Sequence, residues 1–207
     1  MPVLEPNLPE FYKRNKAQLR NMAVTTVNRF LEHNVVQIPQ QRSIYQHLSL
    51  KLANKSVIEY GCGIGIGSHM IALKANLIAT DILPANIAFA AGLYPEMQFK
   101  VWDIMKSPVP MQADAAVAIE VLEHVDDAKR AMETLVESAP EAYVSSPNRN
   151  HPLAGKMKPR NHDHVAEYTP DEIIEMLPDK EVTVLDSLKF IEVGPETRET
   201  PVVYHIK

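Results

Sequence analysis

The chain has 207 residues, 45% hydrophobic and 23% charged, with 21 Lys plus Arg against 26 Asp plus Glu and a net charge of −5. That balance is ordinary for a globular domain and excludes a globally basic nucleic-acid or anionic-membrane binder, so any such contact needs a local patch. One cysteine, Cys62, excludes an intramolecular disulfide and fits a reducing compartment, the cytoplasm.

Pro2, Glu5, Pro6, Pro9 and Glu10 interrupt the first residues, which do not read as a signal peptide. No apolar run approaches the ~20 residues of a membrane span. In chain order, Leu19, Met22, Ala23, Val27, Phe30 and Leu31 predict an amphipathic helix within Pro9–His33. Ile44, Leu48 and Leu52 predict a second over Gln41–Ala53. Strands are then expected at Ser56–Tyr60, Asn76–Thr80, Gln98–Trp102, Asp114–Ile119 and Ala142–Ser145. Helices fit at Ile66–Leu73, Ala85–Leu93, Ala128–Glu137 and Pro170–Met176. Such alternation argues for a parallel sheet with helices on both faces. Glu181–Ile191 and Pro201–Ile206 read as two further strands with no helix between them.

Four of the seven glycines, Gly61, Gly63, Gly65 and Gly67, directly follow the first of these strands. A glycine cluster after a buried strand is a turn where backbone approaches a ligand closely. The dinucleotide pattern G-x-G-x-x-G fails in every frame, because Ile66, Ser68 or Met70 stands where the third glycine belongs. No Gly-Lys-Ser/Thr follows, which excludes a P-loop. Cys62, inside the turn, reads as a small filler rather than a catalytic thiol.

Each of the first four strands ends in or beside an acid: Glu59, Asp81, Asp103 and Glu120. Ligands of open α/β sheets bind outside the carboxyl ends of the strands, so these acids line one crevice. Asp81 lies about 20 residues beyond the turn, the spacing expected of an acid gripping ribose hydroxyls. A lone acid there would be an ordinary helix cap. Four in register with the glycine turn favour a nucleoside-type ligand.

The pattern Glu59-x-Gly61-x-Gly63-x-Gly65 resembles the first motif of class I S-adenosylmethionine (SAM) methyltransferases. The resemblance extends over Ser56 to Leu177. It implies a Rossmann-like fold, with a seven-stranded, mostly parallel sheet closed by an antiparallel C-terminal hairpin. It implies one domain over residues 1–207, with 1–54 capping the site and 55–207 forming the core. SAM is the implied cofactor, held by Glu59, Gly61, Cys62, Gly63, Gly65, Asp81 and Glu120. Asp103 matches the position that accepts from the adenine amine, and Ile82, Trp102 and Ile104 supply apolar walls around the base.

Two further tracts carry acceptor chemistry. Glu120-Val121-Leu122-Glu123-His124 and His164-Val165-Ala166-Glu167-Tyr168-Thr169-Pro170 resemble those of quinone-biosynthesis methyltransferases. They are also similar to tracts of the 2′-O-methyltransferases of small-RNA 3′ ends, where such residues bind a divalent metal. Carried over, that metal would be Mg²⁺ or Mn²⁺ and its ligands Glu120, Glu123, His124 and His164; Val165-Ala166 departs from the basic–aromatic pair usual there. His124 and His164 are the candidate general bases, because histidine titrates nearest neutral pH.

Arg149, His151, Lys156, Lys158 and Arg160 make residues 149–160 a basic loop, either a phosphate cradle or a solvated loop offsetting acidic surroundings. Nucleic acid could be met only through that loop. Tyr12 and Tyr45 read as packing residues or as a cover over the cofactor. The leading expectation is methyl transfer from SAM to an oxygen or nitrogen of a small or medium-sized substrate. The alternatives are a metal-dependent RNA 3′-end 2′-O-methyltransferase and a non-catalytic SAM-binding partner subunit.

Overall fold

The computed structural model describes residues 39–150, 164–185 and 201–207. The helix expected over Pro9–His33, Tyr12 and most of the basic loop lie outside them. The elements, in order, are α1 (Pro39–Lys51), β1 (Ser56–Tyr60), α2 (Ile66–Ala72), β2 (Asn76–Asp81), α3 (Pro84–Leu93), β3 (Gln98–Val101) and β4 (Ala115–Ile119). A 3-10 turn (Leu122–His124), α4 (Ala128–Ser138), β5 (Ala142–Pro147), α5 (Pro170–Glu175), β6 (Val182–Leu185) and β7 (Pro201–Ile206) follow.

The strands form one sheet in the order β3-β2-β1-β4-β5-β7-β6. Strands β1 to β5 run parallel, and β7 is antiparallel to both β5 and β6. This is the seven-stranded arrangement with a closing hairpin that the sequence predicts. The order reverses at β1, which pairs with β2 on one side and β4 on the other. A crevice therefore opens at the carboxyl ends of β1 and β4, the topological switch point.

Period-2 alternation sorts β1 between two cores. Ile58 and Tyr60 join Leu122, Met132, Leu135 and Ile173 on one face. Val57 joins Tyr45, Leu48, Ile71 and Tyr143 on the other. Every residue of β4 and β5 is buried, as strands covered on both faces must be. Helix α4 buries Ala128, Ala131, Met132 and Leu135, the i, i+3, i+4, i+7 stripe. Asp127 caps it by accepting from the Arg130 amide at 3.0 Å.

The structure moves several boundaries. Asp81 is the last residue of β2 rather than the residue beyond it, and Trp102 falls just after β3. Asp114 leaves β4 because its carboxylate accepts from the Ser56 amide and hydroxyl, each at 2.7 Å. The 3-10 turn Leu122–His124 was hidden in what reads as a loop. Of the strand expected over Glu181–Ile191, β6 occupies Val182–Leu185, and residues 186–191 lie outside the described segments.

At the opposite, amino edge of the sheet, Glu141 gathers three donors. Lys55 pairs with it, Tyr143 Oη donates at 2.6 Å, and His205 Nε2 donates at 2.8 Å. Tyr143 and His205, paired across β5 and β7, stack with ring centroids 4.6 Å apart. Burial pushes the Glu141 pKa up, but these three donors outweigh it and hold the carboxyl at about 2.

Candidate functional site

The turn after β1 is built by backbone that side chains would obstruct. Gly61, Gly63 and Gly65 all have positive φ (73°, 54° and 81°). A Cβ on Gly63 would meet nothing within 4 Å, so an open cradle faces this residue. Gly67 is glycine for another reason: its Cβ would lie 2.2 Å from the Tyr45 ring, which packs against it. Cys62 is buried, and burial together with Glu59 and Asp81 raises its thiol pKa, as an inert filler requires.

Beneath the turn, Glu59 is fully buried and accepts a hydrogen bond from Tyr45 Oη at 2.7 Å. Its other oxygen, Oε2, has no hydrogen-bond partner, and neither has the buried Ser68 hydroxyl. Burial raises the Glu59 pKa to about 7, only partly offset by the nearby Ser68 and Tyr45 hydroxyls; Ser68 acts without the alignment of a hydrogen bond. Tyr45 thus packs, as the sequence suggests, and also holds the first acid of the crevice.

Asp81 ties the turn to the end of β2. Its Oδ2 accepts from the Gly63 amide at 2.9 Å, and its Oδ1 from the Leu83 amide at 2.8 Å and the Asn86 amide nitrogen at 3.2 Å. A carboxylate offers about four acceptor positions, so one remains for a ligand hydroxyl. Burial raises its pKa despite these bonds. Asp103 Oδ1 accepts from the Met105 amide at 2.9 Å, and Trp102 Nε1 donates to the Ser107 carbonyl at 2.7 Å. The three expected walls differ: Ile104 is buried in the core, Trp102 is half-buried under the Lys100 ammonium, and Ile82 is 59% exposed.

A second cluster stands at the exit of β4. Glu120 adopts φ +57°, a strained value for this residue type, and its Oε1 accepts from the Ser145 hydroxyl at 2.7 Å. That turn directs the chain into the 3-10 turn. Glu123, His124 and His164 then bring ligand atoms within 4.8 Å of one another. The two imidazoles meet edge to face, centroids 4.9 Å apart. Three of the four residues proposed from the resemblance converge; Glu120 does not belong to this group, because its carboxylate is turned to Ser145. One carboxylate and two imidazoles suit a first-row divalent ion.

His164 is held from three sides. Its Nδ1 and Glu167 Oε1 share a hydrogen bond at 2.9 Å, with both side chains buried. The Val165 and Ala166 amides donate to the Glu123 carbonyl at 2.7 and 3.4 Å, stitching this tract to the 3-10 turn. Arg149 donates to the Glu167 carbonyl at 2.9 Å and pairs with Glu172 of the α5 capping box. Arg149 therefore serves as a brace between β5 and the start of α5. Lys156, Lys158 and Arg160 lie outside the described residues. That Tyr45 holds Glu59, Arg149 the Glu167 carbonyl and Glu167 the His164 ring is not legible in sequence; only the His164-x-x-Glu167 spacing beside Thr169-Pro170 carries a signal.

The two clusters share a wall. Val121, immediately before the 3-10 turn, sits so close to Gly61 that a Cβ there would approach Val121 Cγ2 to 2.5 Å. Glycine turn, strand-edge acids and His–Glu cluster thus stand at one end of a seven-stranded sheet of the class I methyltransferase arrangement. Residues 27–185 match the family model described as a methyltransferase domain, and the chain belongs to that family.

Among curated relatives, a probable S-adenosylmethionine-dependent methyltransferase of Mycolicibacterium smegmatis is 31% identical over 150 residues, covering 70% of this chain and 58% of the relative. A ubiquinone biosynthesis O-methyltransferase of Stutzerimonas stutzeri is 34% identical over 117 residues, 52% of this chain and 50% of that protein. The chain thus spans only about half the length of these relatives, 58% of one and 50% of the other. The crystal structure of N-methyltransferase NodS from Bradyrhizobium japonicum WM9 with S-adenosyl-L-homocysteine superposes with a TM-score of 0.65 at 17% identity, covering 95% of this chain and 97% of that one. That likeness concerns the fold. Among the described residues no helix is long and apolar enough to cross a membrane.

Proposed function

We propose that this chain transfers a methyl group from SAM to an oxygen or nitrogen of a small or medium-sized substrate, oxygen being favoured by the ubiquinone O-methyltransferase relative. The observation that carries the reading is the wall between Gly61 and Val121, which sets the His–Glu cluster against the glycine turn. Bound SAM supplies an electrophilic methyl on a sulfonium. The Gly63 cradle and the remaining acceptor position on Asp81 fit its approach and its ribose; Asp103, Trp102 and Ile82 receive the base.

In-line displacement needs alignment and exclusion of water more than covalent help. For a hydroxyl acceptor, His164 removes the proton, with His124 edge-on beside it at the mouth. The test is calorimetric binding of S-adenosylhomocysteine, followed by transfer of radiolabelled methyl from SAM to a panel of phenols, catechols and amines. No binding of that ligand would overturn the reading.

A second reading adds a divalent ion held by Glu123, His124 and His164. Such an ion would lower the pKa of an acceptor hydroxyl and suit vicinal diols, RNA 3′ ends included. Full turnover in EDTA would remove it. Tight binding of SAM with no methyl acceptor in any class would favour the partner-subunit role instead.

A further inference from the structure

The carboxylate behind His164 touches the ring but has no part in the chemistry assigned so far. We propose that Glu167 is a positioning residue that fixes the tautomer of His164, reserving Nδ1 for itself and leaving Nε2 as the nitrogen that meets the acceptor. This rests on the reading of His164 as an acceptor-side residue given above.

A neutral imidazole carries one proton on one of two nitrogens, and the partner of one nitrogen decides the chemistry of the other. Glu167 can only accept while ionised, so at 2.9 Å the Nδ1 of His164 must be the donor. Free histidine in water prefers the opposite tautomer, with its proton on Nε2, so the carboxylate reverses the intrinsic choice. Both side chains are nearly excluded from solvent, at 6% and 2%, which leaves little water to compete for either atom. The contact spans three residues just ahead of α5, where Thr169 and Glu172 form a capping box. Arg149 grips the Glu167 carbonyl, and the Val165 and Ala166 amides are fixed to Glu123. Glu167 therefore presents its carboxylate from a backbone anchored at both ends. An Nε2 lone pair is what a general base needs and equally what a metal-binding imidazole needs, so the inference holds under both readings of the site.

The test is ¹⁵N NMR of the full chain with ¹⁵N-labelled histidine, saturated with S-adenosylhomocysteine in mildly alkaline buffer. His164 is identified by the signal lost in His164→Asn. The expected result is the Nδ1–H tautomer in the wild type and in Glu167→Gln, whose amide oxygen still accepts, and loss of that tautomer in Glu167→Ala. An Nε2–H pattern in the wild type would overturn the proposal, as would an unchanged Nδ1–H pattern in Glu167→Ala. If the alanine variant does not fold, the wild-type tautomer alone decides. Failure of S-adenosylhomocysteine to bind would show up separately, as failure of the cofactor reading rather than of this one.

Discussion

Two glutamates at opposite edges of the same sheet, Glu59 fully buried and Glu141 partly buried, have opposite fates. Glu141, at the amino edge, is met by an ammonium, a phenol and an imidazole, and its pKa falls to about 2. Glu59, at the carboxyl edge under the glycine turn, has a single phenol hydrogen bond and an unpartnered second oxygen, and its pKa rises to about 7. The difference lies in what surrounds each residue. One edge is satisfied and holds the fold together; the other is left short of partners, as edges that receive ligands are.

The largest expected effect breaks function at the ligand edge without touching the fold. His164→Asn should lower methyl transfer by about 10²–10⁴-fold, the usual contribution of a general base, while S-adenosylhomocysteine affinity stays within about twofold. Comparable losses in both would place His164 in the cofactor site instead. Steady-state turnover beside calorimetry separates the two.

Next comes the pH dependence of Glu59. A carboxyl whose folded pKa stands above its unfolded value stabilises the fold when protonated. That contribution is complete below the unfolded value of 4.5 and is lost as pH rises through about 7. At 1.36 kcal/mol per unit the swing is about 3 kcal/mol. Urea denaturation at pH 5 and pH 8 should register it in the wild type and find it largely gone in Glu59→Gln. A wild type equally stable at both values would remove the contrast between the edges.

Glu141 carries the opposite sign, because its folded pKa is depressed: its contribution stands above pH 4.5 and disappears as pH falls towards 2. Glu141→Gln should cost about 2 kcal/mol at neutral pH, the scale of hydrogen bonds to a charged group, and leave cofactor affinity alone. Reduced affinity would mean that the two edges are coupled. The smallest effect is that of Tyr45→Phe, about 1 kcal/mol for one lost hydrogen bond. Because Tyr45 favours the charged carboxylate, its removal should also move the Glu59 transition to higher pH, readable in the same denaturation series.

The sequence carried the cofactor half of this molecule well, for a physical reason. Strand-turn geometry leaves its mark in residue type: Ile58 beside Val57, glycines at positive φ, acids where strands end. The acceptor half was visible as residues but not as an arrangement. Glu120 and Glu123 are three residues apart, and spacing alone could not tell which would turn towards His164. A positive φ at Glu120 and the Ser145 hydroxyl decided it. Arg149 likewise reads as one more basic residue until the tract ending in Thr169 returns to lie beside it. Contacts between segments some 20 or more residues apart, such as Arg149 with Glu172, leave no periodic trace.

The position of β7 bears on how the chain can be assembled during synthesis. This strand emerges after β6 yet lies between β5 and β6, and among the described residues β6 pairs with β7 alone. When β6 leaves the ribosome its partner β7 has not yet been made, and the open edge of β5 is the one that β7 will take. The two must arrive as a preformed hairpin, or β7 must dock first and offer its free side. Residues Pro201–Ile206 are therefore the keystone of the last three strands, although the ligand crevice lies between β1 and β4 and is complete in sequence long before them.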